Sequence, residues 1–186
     1  MSRALLVIDV QNDYFSGPHE ITHPEGSFAG IQRAMDVAHA HGVPIVLIQQ
    51  TFLPPVPIFC KGTPGWEIPA ELLSRPHDIV IEKGLPGSFT GTNLEAWLRE
   101  RDVDTVVICG YMTQMCCDTT SRQAVHLGFN VEFLSNATGT HAFSTDAGSV
   151  TAEELHRATL VVQSSRFAKV MTVEAWDELL SADTRQ

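Results

Sequence analysis

Short apolar, β-branched runs alternate with helical stretches along this chain, and that alternation constrains its fold more than any other feature. The first run, ALLVID at residues 4–9, is continuous. A strand with one solvated face alternates apolar and polar residues, so an unbroken run predicts a parallel strand buried on both faces. Similar runs occur at 44–50 (PIVLIQQ), 78–83 (DIVIEK), 105–110 (TVVICG) and 130–135 (NVEFLS), with a sixth predicted at 167–171. Helical patterns fill the intervals. One covers 27–41, with Ser27 placed to cap its start and Gly42 to stop it. Others cover 93–101, 114–127 (closed by Gly128) and 173–180, and Thr151 with Glu154 has the spacing of a capping box that opens a further helix. The β-α-β rhythm predicts an α/β protein: a three-layer α-β-α, doubly wound, six-stranded and mostly parallel sheet of Rossmann-like type. No repeat, linker or break in composition divides the chain, so residues 1–186 read as a single domain.

Charge narrows the function. Twelve Lys and Arg against 22 Asp and Glu give a net charge of −10. Such a chain is repelled by phosphate backbones and anionic lipid, so neither nucleic acid nor a membrane is an expected partner. The N-terminal segment lacks a basic region followed by a long apolar core, and no segment approaches the roughly 20 apolar residues of a membrane span. Cys60, Cys109, Cys116 and Cys117 form no CxxC pair and no zinc-type spacing with His. The expected location is the cytoplasm, with reduced thiols.

Two stretches interrupt the rhythm. Residues 51–76 are rich in Pro and Gly, and 137–150 in Thr, Ser, Gly and Ala. Both follow strands, which predicts loops over the carboxyl edge of the sheet, where open α/β folds bind ligands. Along that edge the topology aligns three residues distant in sequence: Asp9 ending the first strand, Lys83 ending the third, and Cys116 opening the helix after the fourth. Acyl chemistry needs a nucleophile, a proton acceptor and a group that orients or polarises them, and Cys, Asp and Lys can fill those roles. With Thr113 as the cap, Cys116 falls in the first helical turn, where free N–H groups and the positive dipole end favour a thiolate and could hold an oxyanion. Lys83 would add to that effect. Each residue also has a purely structural use, as core thiol, turn carboxylate or solvated strand end.

Three blocks then carry a resemblance: DVQNDY (9–14), EKGLPGSFTGTNLEAWL (82–98) and GYMTQMCCDTTSRQA (110–124). They resemble the signature segments of the isochorismatase-like cysteine hydrolases, a superfamily that includes nicotinamidases, N-carbamoylsarcosine amidase and streptothricin hydrolase. The likeness extends to GTPGWEI (62–68) and to the C-terminal EELHRATL and RFAKV segments. The resemblance implies a Cys-Asp-Lys triad, which transfers to Asp9, Lys83 and Cys116. It implies a cis peptide between Tyr111 and Met112, with the N–H groups of Met112 and Cys116 as oxyanion donors. It also implies a small-molecule substrate, no cofactor, and a homo-oligomer, a dimer or larger. The expected function is hydrolysis of a C–N bond in a small amide or carbamoyl compound through a thioester. Cys117 departs from the family's apolar residue and reads as a core thiol, since adjacent helical residues diverge by about 100°.

Nicotinamidases resemble one another in an Asp-x-His segment after the second strand. This chain reads QQTFLPPVPIFCKG at 49–62, without His or Asp, so no metal is expected and nicotinamidase activity is disfavoured. Isochorismatases proper replace the nucleophilic Cys, which also disfavours vinyl-ether hydrolysis. His39 and His41 read as solvated, and His141 as a rim-loop residue. Gln11, Phe15, Phe52, Trp66, Tyr111 and Phe143 are candidate substrate contacts around the rim, suited to a small planar or partly apolar amide. Two other readings compete. A nucleotide-binding oxidoreductase is opposed by the absence of a G-x-G-x-x-G motif after the first strand. A non-catalytic or redox-active relative of the same fold, acting in structure or interaction, would not react at Cys116 with thiol-directed electrophiles at neutral pH.

Overall fold

The computed structural model describes residues 1–183. Six strands form one sheet: β1 (Arg3–Ile8), β2 (Ile45–Gln50), β3 (Ile79–Lys83), β4 (Thr105–Tyr111), β5 (Asn130–Gly139) and, at the far edge, β8 (Lys169–Met171). Their order is β3-β2-β1-β4-β5-β8, and every pairing is parallel. A hairpin of β6 (Phe143–Thr145) and β7 (Gly148–Val150) stands apart from it.

The continuous apolar runs are explained by burial on both faces. Successive side chains of a strand point to opposite sides. Leu5 and Val7 of β1 pack with Ile31, Ala34 and Met35 of α1 (Ser27–Ala40) and with Trp176 of α6 (Val173–Asp183). Their neighbours Leu6 and Ile8 pack with Leu94 and Trp97 of α3 (Leu94–Arg99) and Ala124 of α4 (Asp118–His126). The short α2 (Ala70–Leu73) adds Leu72 to the first layer, and α5 (Ala152–Val162) lays Leu160 against the second. No helix among the described residues is long and apolar enough to cross a membrane.

Several boundaries differ from the sequence reading, each for a local reason. Gly26, not Ser27, caps α1, and it does so with φ at +79°, a conformation that glycine adopts without steric penalty. Ser27 lies inside the helix and bonds Tyr111 instead, Oγ to phenol oxygen at 3.2 Å. The segment 167–171 is strand only over Lys169–Met171, because Gln163–Phe167 forms a π-helical turn. The stretch 137–150 is less of a loop than its composition suggests. β5 shifts register after Ile108↔Phe133, resumes at Gly110↔Thr138 and runs to Gly139, and the β6–β7 hairpin follows. His41 is not simply solvated, since its Nε2 lies 2.8 Å from Asp177 Oδ1. Gly42, with φ at +67°, ends α1 as expected, and Thr151 with Glu154 makes the full capping box on α5.

The strand order reverses between the parallel neighbours β1 and β4: from β1 the chain adds β2 and β3 on one side, and from β4 it adds β5 and β8 on the other. In open α/β folds, ligands bind outside the carboxyl ends of the strands at such a switch point. Gly110, at φ +114°, allows the close approach there: a Cβ on it would collide with the Ile8 carbonyl oxygen.

Candidate active site

Asp9 follows β1, Lys83 ends β3, and Cys116 lies in the turn after β4, so three strands deliver three side chains to one edge. The structure brings them together in the interior. Lys83 Nζ lies 2.7 Å from Asp9 Oδ2, with both side chains 0% exposed. The same ammonium lies 3.5 Å from Cys116 Sγ and donates to the Leu85 carbonyl at 3.1 Å. Asp9 holds a left-handed backbone, φ 51°, at the point where the chain leaves the sheet. Besides Lys83, the Asp9 carboxylate faces the Cys116 thiol and the Gln50 backbone N–H, neither of them in good hydrogen-bond geometry. A buried acceptor with spare capacity is one that can take a proton.

Gln50 was not anticipated from sequence. Its Oε1 accepts from Lys83 Nζ at 2.5 Å and its Nε2 donates to the Lys83 carbonyl at 3.1 Å. The available signal was two consecutive glutamines ending an otherwise apolar strand, where a buried amide needs a partner.

The nucleophile segment begins differently from the sequence reading. Met112, not Thr113, is the cap, and Thr113–Cys117 is one π-helical turn that leads into α4. The Tyr111–Met112 peptide is cis. The Met112 carbonyl accepts from the N–H groups of Met115 and Cys117 at 3.1 and 3.3 Å. Cys117 is fully buried and Cys116 is 8% exposed.

The expected lowering of the Cys116 pKa is overturned. Burial raises it well above the ordinary thiol value of 9.0, and the charge of Asp9 raises it further; Lys83 opposes both and is outweighed. The resting residue is therefore a neutral thiol. Burial likewise raises the Asp9 carboxyl above 3.8, against the opposing pull of Lys83, the Cys116 thiol and the Gln50 backbone. Low dielectric disfavours every uncompensated charge, and a helix start cannot offset that for a sulfur this enclosed. The arrangement suits proton transfer from thiol to carboxylate within the pair, not a standing thiolate.

A pH profile follows. Were Asp9 to act as the proton acceptor of a reaction at Cys116, it would need its carboxylate, and activity would fall as pH drops through the Asp9 pKa. With that pKa raised, the acid limb of kcat/KM is expected above 3.8, and no rise is expected near pH 9.0 from Cys116 ionisation. A profile whose only inflection is an alkaline rise near 9.0 would contradict this.

The candidate substrate contacts are placed unevenly. Gln11 is buried and fully engaged: its Nε2 donates to the carbonyls of Gln50 and Trp66 at 2.9 and 2.7 Å, and its Oε1 accepts from Gln50 N at 2.9 Å. It ties the 51–69 loop to the sheet rather than offering a free amide. Trp66 is part of the same fastening through Nε1 and Thr51 Oγ1 at 2.9 Å. Phe15 and Tyr111 form a different group, with ring centres 6.3 Å apart, and together with Tyr14 and Phe28 they line a cleft of about 370 Å³ on the α1 side. Phe143 stacks on His141 at 4.5 Å and packs on the α1-side core. Phe52 is exposed at the end of β2, in the same rim as exposed Leu85 and Met115. A larger cleft of about 550 Å³ lies at the amino edge beside Thr105 and Lys169 and touches none of the three residues.

Comparison with known proteins places this geometry in context. The isochorismatase domain model matches residues 3–175. The isochorismatase family protein YddQ of Bacillus subtilis is 33% identical, over 95% of this chain and 99% of its own length. Nicotinamidase 3 of Arabidopsis thaliana is 30% identical, over 89% of this chain and 82% of its own. Among solved structures, one from Burkholderia xenovorans LB400 assigned to the isochorismatases superposes with a TM-score of 0.95 at 44% identity, covering 97% of this chain and 88% of that one.

Proposed function

Because the chain belongs to the isochorismatase family of hydrolases, we propose that it cleaves the C–N bond of a small amide or carbamoyl compound through a thioester on Cys116. Cys116 Sγ attacks the carbonyl carbon as Asp9 takes the thiol proton. Lys83 stabilises the carboxylate before transfer and the sulfur during it. The N–H groups of Met112 and Cys116 receive the developing oxyanion. The C–N bond breaks as Asp9 returns the proton to the departing nitrogen. Water then attacks the thioester, Asp9 again accepting a proton, and the acid leaves with Cys116 restored as a thiol.

The observation that carries this reading is the enclosed contact of one carboxylate, one ammonium and one thiol, at 2.7 and 3.5 Å from the shared Lys83 Nζ. A buried ion pair is weak evidence for stability, because desolvation opposes it, so its presence beside a thiol asks for a chemical use. The substrate class follows from the rim. Lys83 is already paired with Asp9, and Lys61 with Glu82 at 2.7 Å, while Phe52, Leu85 and Met115 are exposed beside the strand ends. A neutral amide with an apolar or planar substituent fits better than an anion. Nicotinamide itself is disfavoured by the lack of an Asp-x-His segment at 49–62.

A panel of small primary amides and carbamoyl compounds, assayed for ammonia and quenched in acid, tests the reading. Release from at least one neutral member is expected, with an acyl adduct on the peptide bearing Cys116. Turnover that survives complete iodoacetamide labelling of Cys116 would refute it. An inert Cys116 with no turnover would favour a non-catalytic relative.

A further inference from the structure

Thr113 and His156 make a buried contact that the proposed reaction does not use. Thr113 Oγ1 lies 2.9 Å from His156 Nδ1, and the two residues are 0% and 5% exposed. His156 belongs to α5, whose Val161 and Val162 are exposed while this polar ring faces inward. Burying an imidazole without a partner is unfavourable, so its orientation follows from the hydrogen bond it makes. A second ring closes the other side: His23 stands edge-on to it at 5.3 Å. His23 is itself bonded to the end of β5, its N–H donating to the Thr140 carbonyl at 3.0 Å and its carbonyl accepting from Thr140 N at 2.8 Å. His156 thus links Thr113 to the segment that carries His23.

Thr113 is the first residue of the π-helical turn that carries Cys116, and it directly follows Met112. Holding its hydroxyl fixes how the turn leaves β4. That in turn sets the direction of the Met112 N–H and the reach of Cys116 toward Asp9. We propose that His156 is a positioning residue, which braces the nucleophile turn through the Thr113 hydroxyl. The proposal rests on Cys116 being the nucleophile. Burial lowers the His156 pKa to about 4, with His23 adding to the effect and the Ser135 backbone opposing it. The ring is neutral near pH 7, as a fixed brace requires.

The test reads the turn without needing a substrate: the rate at which iodoacetamide labels Cys116 near neutral pH, followed by peptide mass mapping. Thr113→Val and His156→Leu are each expected to slow labelling by roughly 10- to 100-fold, since small misplacements of a reacting group have effects of that size. The double variant should be no slower than the slower single variant, because both remove one interaction. Thr113→Ser and His156→Asn, which keep a polar atom at the contact, should recover most of the rate. On any amide that is turned over, kcat should fall while KM changes by less than about twofold.

Wild-type labelling in Thr113→Val, equal slowing in Thr113→Ser and Thr113→Val, or additive losses in the double variant would each overturn the proposal. If Thr113→Val fails to fold by circular dichroism, Thr113→Ser against Thr113→Ala isolates the hydroxyl, and equal rates there would also overturn it. A Cys116 that is neither labelled nor acylated by any amide in the unmodified protein refutes the nucleophile assignment, and with it the brace. A reactive Cys116 that is indifferent to these variants refutes the brace alone.

Discussion

Cys116→Ala and Asp9→Asn are each expected to reduce amide turnover by roughly 10⁴-fold, with the double variant no worse than Cys116→Ala alone. The Asp9 result is the more informative. A cysteine at an exposed helix start could ionise unaided and would depend weakly on a neighbouring base. Here burial and the Asp9 charge hold the thiol neutral, so the proton has one available acceptor, and that acceptor is the carboxylate. Asparagine keeps the shape of Asp9 and removes the acceptor. It also leaves Lys83 buried opposite a neutral group, so its melting temperature must be measured beside its rate. Steady-state ammonia release checks the prediction. An Asp9→Asn protein that stays folded and keeps more than about a tenth of the activity would show that the thiol ionises by another route.

Glu132→Ala is expected to destabilise the fold by about 3–5 kcal/mol, which for a domain of this size is a fall in Tm on the order of 10 °C. Glu132 anchors the amino edge of the sheet, away from the triad. It receives Arg3 Nε at 3.0 Å and Trp176 Nε1 at 2.9 Å, and the Arg3 and Glu132 side chains are 4% and 6% exposed. Removing the carboxylate leaves a buried guanidinium and an indole N–H short of an acceptor. Asp183, at 2.8 Å from Arg3 but 46% exposed, replaces little of that charge. Replacing both partners with apolar residues, Arg3→Met with Glu132→Leu, should be less damaging than Glu132→Ala, because no uncompensated charge remains. Urea unfolding of the three proteins decides it. Equal losses for the single and double variants would mean that the side-chain volume, not the charge, matters here.

The layered α/β architecture was legible because burial on both faces leaves a direct mark: unbroken apolar runs such as 4–8, separated by amphipathic stretches. Asp9, Lys83 and Cys116 were legible as residues at the ends of such runs, since a parallel sheet places those ends on one edge. The start of the nucleophile turn was less so. A π-helical turn differs from an α-helical one only in which N–H meets which carbonyl, and no pattern of residue types at Thr113–Cys117 records that choice. His156 lies 43 residues from Thr113, and its ring neighbour His23 is more distant still along the chain, separations that no local pattern records. The fastening role of Gln11 was not legible for a related reason: its amide bonds Gln50 and Trp66, whose positions only the fold supplies.

By itself the sequence determined that Asp9, Lys83 and Cys116 meet at one edge of the sheet, because strand periodicity and chain direction suffice for that. The tertiary structure alone decided the direction in which burial pushes the Cys116 thiol and the Asp9 carboxyl, upward in both cases. From sequence, a cysteine at a helix start beside a lysine reads as a thiolate. In the fold, the same cysteine is enclosed with a carboxylate that already holds the lysine at 2.7 Å, and its proton stays on sulfur. Charge state depends on solvent exclusion and on the nearest few ångströms, and those are properties of packing that no local sequence pattern carries.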